Sequence, residues 1–293
     1  MTYYAVRPHD LPALLADLAR QIVNASGEKW YALVDTAFDH EGKALRVTGN
    51  EGLALYSQGQ LAALSGVSPV LYALPTGNSD QLQHQLSRLL HHCQARPMLS
   101  FIGSKLPASD LRVSWQSLLE VETEDQERYL LRFADTRVLP TLASQEKIWK
   151  RLAANATAWW SIERDGKLRD LPLPLLPEQN NDPLKIDNYC LAKLLRAGEV
   201  DAMADYMGNY FPELLAVRDG YANYEILEQV LTLCSEQSVF GTTDQYALGV
   251  AALFTDGRLL NAPEISTWLS EKTWGEKGIE DALAEFMEDK GFS

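Results

Sequence analysis

The stretch that decides the reading of this chain is Tyr129–Leu139, YLLRFADTRVL. Leu130, Leu131, Phe133, Val138 and Leu139 make an apolar run of the kind that forms a buried strand leading straight into a helix. Arg132, Asp135 and Arg137 interrupt that run. Burying three charges among such neighbours is costly unless the charges pair. A carboxylate flanked by two guanidinium groups can pair, because the planar fork of arginine matches a carboxylate in two-bond geometry. The expectation is therefore a fold-holding ion-pair knot of Arg132, Asp135 and Arg137 at a strand end. Capture of an anion or of a partner's carboxylate is a second use of the same residues.

Working outward, helical spacing of Leu11, Leu14, Leu15, Leu18 and Ile22 predicts a helix over Leu11–Val23. Strand-length apolar runs follow at Trp30–Val34, Leu53–Tyr56, Pro69–Leu74 and Met98–Ile102. Ser79 is placed to cap a helix running to Cys93, and Pro107 with Ser109 opens another that turns Leu111, Trp115, Leu118 and Leu119 inward. Glu120–Thr123 and Arg128–Phe133 read as a hairpin across the acidic turn EDQE, with a helix from Thr136 to Ala153 after it. AWWSIE, Ala158–Glu163, is expected as the last strand, closed by a turn at Asp165 and Gly166.

Alternating elements of this kind predict an α/β (α+β) N-terminal lobe with a mixed sheet over residues 1–165. Residues 166–183 hold Pro172, Pro174, Pro177 and Pro183, which predicts an extended connector strapped onto a surface by its leucines. From 184 to 293 the patterns are helical: 183–195, 199–210, 221–234, 243–254, 263–272 and 278–290. An all-α C-terminal lobe of five or six short helices is the expectation.

Bulk composition narrows the function classes. The formal net charge is −14 and the pI near 4.8, so phosphate backbones and anionic membrane surfaces are repelled while a basic protein segment is attracted. The three cysteines Cys93, Cys190 and Cys234 are odd in number and far apart, which suits a reducing compartment. No secretory signal pattern opens the chain, and the longest apolar run, Tyr246–Phe254, is too short to span a bilayer. A cytoplasmic location, with neither nucleic acid nor membrane as partner, is the expectation.

Motifs that carry chemistry are sparse. The sequence has no phosphate-cradling glycine motif, nucleophile elbow, H-E-x-x-H or paired C-x-x-C. His84, His91, His92 and Cys93 share one helix, but His84 and His91 lie two turns apart, about 10 Å, too far for one zinc without help. A solvated polar face is the better reading. Asp35 and Asp39 follow a strand, where α/β enzymes often keep a carboxylate; capping the next turn or pairing with an arginine is the reading preferred to catalysis. Trp159 and Trp160 must face opposite ways on a strand. One is expected in the core, the other under the strap, the helical lobe or a partner. Trp268 and Trp274 are candidate interface aromatics that also fit core packing. The segment 261–293 carries eight acidic residues against three lysines, a solvated face able to receive a basic segment.

LRFADTRVL resembles the signature of the type VI secretion effector chaperones, the Tap/Tec-type adaptors found beside VgrG spike genes. WYALVDTAFD, Trp30–Asp39, is similar to that family's opening strand, and SPVLYAL (68–74) and PMLSFIGS (97–104) to its middle strands. The resemblance spans roughly residues 28–145. Ala134 and Thr136 stand where the family has an aromatic and a proline. The resemblance implies a non-catalytic adaptor, without cofactor or metal, that binds a toxic effector and helps load it onto the VgrG spike. Trp30, Asp35, Arg132, Phe133, Asp135 and Arg137 are its motif and candidate partner-binding residues, with Trp159, Trp160, Trp268 and Trp274 as candidate interface aromatics. An immunity-type toxin-binding inhibitor, or a hydrolase or transferase using Asp35, are the alternatives.

Overall fold

The computed structural model describes residues 3–25, 27–39, 45, 51–178, 182–272, 274 and 278–292. The strands are β1 (Lys29–Asp35), β2 (Leu53–Ala54), β3 (Pro69–Ala73), β4 (Leu99–Ser104), β5 (Glu120–Glu122), β6 (Arg128–Leu130), β7 (Ala158–Ile162), β8 (Leu168–Asp170) and β9 (Leu184–Lys185). The helices are α1 (Leu11–Asn24), α2 (Ser79–His92), α3 (Ala108–Trp115), α4 (Leu139–Ser144), α5 (Glu146–Leu152), α6 (Asn188–Tyr210), α7 (Pro212–Ala216), α8 (Gly220–Glu236), α9 (Thr242–Phe254), α10 (Ile265–Glu271) and α11 (Ile279–Asp289). The N-terminal part is thus mixed α and β and the C-terminal part helical. Contacts group the chain into two compact units, Pro8–Ala197 and Met1–Arg7 with Gly198–Ser293.

In the first unit six strands form one sheet in the order β2-β3-β1-β4-β7-β8, every pairing antiparallel. Among the described residues, parallel pairing is confined to a small second sheet, β6-β5-β9, where β5 and β9 run together. β1 is central and, apart from Lys29, entirely buried. Alternation sends Tyr31 and Leu33 to one face, where they join Ile102, Trp115, Phe133, Trp149 and Trp159 in a core. Trp30, Ala32 and Val34 take the other face. α1 starts at Asp10, whose carboxylate accepts the Ala13 N–H at 3.1 Å, and α1 packs on α2.

Four sequence expectations about the elements of this unit are corrected. Asn78, not Ser79, caps α2: it has extended dihedrals and its side chain accepts the Gln81 N–H at 3.0 Å, leaving Ser79 as the first helical residue. The strand in Tyr129–Leu139 stops at Leu130 and is exposed; residues 131–138 then turn twice, through bonds from Asp135 N to Arg132 O and from Val138 N to Asp135 O. The helix expected over 136–153 is two helices, broken where Gln145 takes φ −92°, ψ 92°. Ala158–Ile162 is not the last strand, because β8 returns across the Asp165–Gly166 turn and β9 pairs Leu184 with Val121.

The proline-rich stretch is pinned along α5. Trp149 donates to Pro172 O, Glu178 N to Lys150 O and Arg151 to Asp182 O. Leu171 is buried, whereas Leu175 and Leu176 are exposed.

The second unit is built on a core that includes Met203, Met207, Leu227, Leu248, Leu253, Leu269 and Phe286. The two helices expected over 183–195 and 199–210 are one, the 23-residue α6, in which Gly198 is tolerated at a modest propensity cost. The N-terminal segment lies against this unit. Tyr3 and Ala5 donate backbone N–H bonds to Asp205 and Asp201 at 2.8 Å each, and Arg7 pairs with Asp219.

Candidate functional site at the end of the central strand

β1 ends at Asp35, which is fully buried. Its side chain caps a 3₁₀ turn, Thr36–Phe38, by accepting the Ala37 N–H on Oδ1 at 3.2 Å. Oδ2 accepts from Arg132 Nη2 at 2.8 Å and Nε at 3.3 Å. Three residues beyond Arg132, Asp135 accepts from Arg137 Nε at 2.9 Å and Nη2 at 2.6 Å, and from the Arg137 backbone N–H at 3.0 Å. Phe38 joins the two pairs: the Arg132 and Arg137 guanidinium carbons lie 5.3 and 5.0 Å from its ring centroid. Cations over an aromatic face are attracted by the ring quadrupole.

The expected three-residue knot is therefore two ion pairs bridged by a phenyl ring. Asp135 takes Arg137 alone because a turn puts the two side chains and a backbone N–H together. Arg132 is drawn to Asp35, whose burial demands a cation. Burial pushes the Asp35 carboxyl above the ordinary carboxylate range, with Arg132 opposing. The Tyr56 hydroxyl beside them is buried without a hydrogen-bond partner among the described residues. Burial, reinforced by the Asp35 charge, pushes it up to about 12. The Arg132 side chain keeps 38% of its surface exposed. The cluster thus fixes the β1 end to the 131–138 loop and presents a pre-oriented guanidinium.

One turn on, Asp39 accepts from Arg96 Nη1 at 2.6 Å and meets His92 Nε2 at 2.8 Å. Arg96 also donates to the carbonyls of Phe38 and His92. Burial pushes the Asp39 carboxyl up, but His92 and Arg96 outweigh it and hold it below the usual carboxylate value. Sequence reasoning missed Arg96; the available signal was an arginine just past a helix end, with a proline after it. Burial pushes the Cys93 thiol far up. Among the described residues, no group of three or more His, Cys, Asp and Glu is placed to hold a metal ion.

The tryptophans divide by face. Trp159 is fully buried, with Trp149, Trp115 and Phe133 at ring-centroid distances of 5.1, 5.9 and 6.3 Å. Trp160 is also buried, its ring 4.3 Å from that of Trp30 on the opposite face. In the helical unit Trp268 lies 5.1 Å from Trp274 and 5.2 Å from Phe286, all against the core.

Residues 30–149, less than half of the chain, match the model of a family described as Domain of unknown function (DUF4123). The match opens at Trp30 and takes in Asp35, Phe38, Asp39, His92, Arg96, Arg132, Asp135 and Arg137, so the whole strand-end cluster lies inside it. No curated protein and no solved structure matches the chain. Among the described residues no helix is long and apolar enough to cross a membrane.

Proposed function

We propose that this protein is a non-catalytic, cytoplasmic adaptor of a type VI secretion system, which binds one toxic effector and helps load it onto the VgrG spike. The observation that carries this reading is the match of residues 30–149 to DUF4123, a family associated with type VI effectors. The strand-end geometry supports it. Asp35 is sealed and bonded on both oxygens, a poor placement for a general base, whereas Arg132 is held rigid and half-open, a good placement for contact with a partner. The exposed Leu175 and Leu176 add apolar surface available to a partner.

The net charge of −14 favours a basic partner and suits a toxin-neutralising inhibitor as well. An affinity pull-down of the chain from its native cytoplasm, with mass spectrometry, separates the two. Recovery of a spike protein together with one large toxin is the expected result. Recovery of an inactivated toxin alone would transfer the reading to an inhibitor, and turnover in a substrate screen abolished by Asp35→Asn would transfer it to an enzyme.

A further inference from the structure

The charge of the chain is segregated. The unit formed by residues 1–7 and 198–293 holds 18 carboxylates and six Lys or Arg, so it carries −12 of the total −14. That same unit has an open apolar groove of about 810 Å³. One wall is α9, contributing Thr243, Tyr246, Ala247, Val250 and Phe254, spaced three or four residues apart along one face. The facing wall is α11, contributing Leu283, Ala284 and Met287 at the same spacing, and Tyr206 and Phe211 stand at the side. Phe254 is 58% exposed. The ionisable carboxylates on the lining are Glu280 and Glu288, both exposed on α11, and no Lys or Arg lines it among the described residues.

We infer that this groove seats an amphipathic helix of a partner protein, its apolar ridge between α9 and α11 and its Lys or Arg flank against Glu280 and Glu288. Two neighbouring rows of side chains at helical spacing, largely apolar, are what a third helix packs into. The α9 face from Thr243 to Phe254 spans about 12 residues, roughly 18 Å, which accommodates about three turns of helix. Charge selects the occupant. A second copy would bring −12 against −12 and is repelled, whereas a basic flank is attracted and steered by the field of the whole unit. The inference rests on the adaptor reading only for the owner of the helix. Peptide binding at the groove can fail while spike and effector still co-purify, so the two failures are distinguishable.

The test is fluorescence anisotropy of the full chain with a labelled amphipathic Leu/Lys peptide of about four turns. Controls are the same composition scrambled to lose its apolar face and a Leu/Glu counterpart. The Leu/Lys peptide is expected to bind at least ten-fold more tightly than either control. Ala284→Trp, which fills the groove from an exposed position, and Phe254→Ser are each expected to weaken it at least ten-fold with an unchanged circular-dichroism melt. The double variant Glu280→Lys, Glu288→Lys is expected to shift preference toward the Leu/Glu peptide. Equal binding of the scrambled peptide, or binding indifferent to both groove variants, would overturn the inference. So would a concentration-dependent dimer of the free chain that Ala284→Trp abolishes, because the occupant would then be a second copy.

Discussion

Asp35 and Arg132 lie 97 residues apart in sequence and meet at 2.8 Å, one fully buried and the other 38% exposed. That asymmetry has an energetic consequence. Removing Arg132 leaves a sealed carboxylate without its cation, a loss of about 3–5 kcal/mol by analogy with broken buried pairs. Removing the carboxylate leaves a guanidinium that water can reach. Asp35→Asn is therefore expected to cost about 1.5–3 kcal/mol, the scale of lost hydrogen bonds to a charged group. Urea unfolding of the two variants measures the difference; a larger loss for Asp35→Asn would reverse the assignment of which partner depends on the other.

The pH dependence of the same pair has a definite sign. The folded Asp35 carboxyl lies above its ordinary value, so between the unfolded and folded values the native state binds the extra proton. Stability from this group therefore falls as pH rises through that window, and is recovered as the carboxyl protonates in acid. Arg132→Ala is expected to be less damaging near pH 4 than at pH 7. A deficit that does not change with pH would show that Asp35 is not the group left stranded.

Asp39 has the opposite sign. His92 and Arg96 hold its carboxyl below the ordinary value, so its stabilisation is present above the unfolded value and is lost as pH falls through the folded one. Asp39→Asn is expected to cost about 1–2 kcal/mol at neutral pH, for charged hydrogen bonds at a partly screened site, and almost nothing in strong acid. Paired melts across that range check it, and a deficit that grows in acid would contradict the arrangement.

Gly103 leaves room for the Trp30 ring, which lies 4.3 Å from that of Trp160 at a tilt of 30°. A Cβ there would sit 3.3 Å from the Trp30 ring, 2.9 Å from Thr157 Oγ1 and 3.1 Å from Glu28 Oε2. Gly103→Val is expected to cost about 1–3 kcal/mol by overpacking, and Trp160→Ala about 3–5 kcal/mol by cavity formation. Near-ultraviolet circular dichroism follows the pair directly. An unchanged near-ultraviolet tryptophan spectrum in Gly103→Val would show that the ring pair does not need the glycine.

Gly220 presses on the backbone of Val6: a Cβ would lie 2.3 Å from the Val6 carbonyl oxygen, which has no flexible end to yield. Gly220→Ala is expected to release residues 3–7 from the helical unit. Hydrogen exchange should then show lost protection at Ala5, whose N–H bonds Asp201. Unchanged protection would mean that α8 shifts instead.

The elements legible in the sequence were those with strong local signals. β1 and β3 are apolar runs of strand length, α1, α2, α8, α9 and α11 have apolar residues at helical spacing, and the 120–130 hairpin has an acidic turn between its arms. Less legible was everything set by tertiary demand. The Arg132 and Asp135 charges were visible, but the pairing of Arg132 with a carboxylate 97 residues away is decided by how deeply Asp35 is buried, which no local pattern encodes. The same applies to Arg96, recruited to Asp39, and to residues 3–7, which have no periodicity and owe their place to Asp201, Asp205 and Gly220. The acidic balance was plain in composition, while the share of it carried by the helical unit needed the division into units.

The most direct measurement of the adaptor claim is the secreted fraction of a type VI-active cell carrying a clean deletion of this chain, probed for both spike and effector. The account predicts that VgrG is still secreted while one effector disappears from the medium, and that the wild-type chain restores it whereas Arg132→Ala, if folded, does not. An unchanged secreted effector, or a cell killed by its own toxin when the chain is absent, would contradict it.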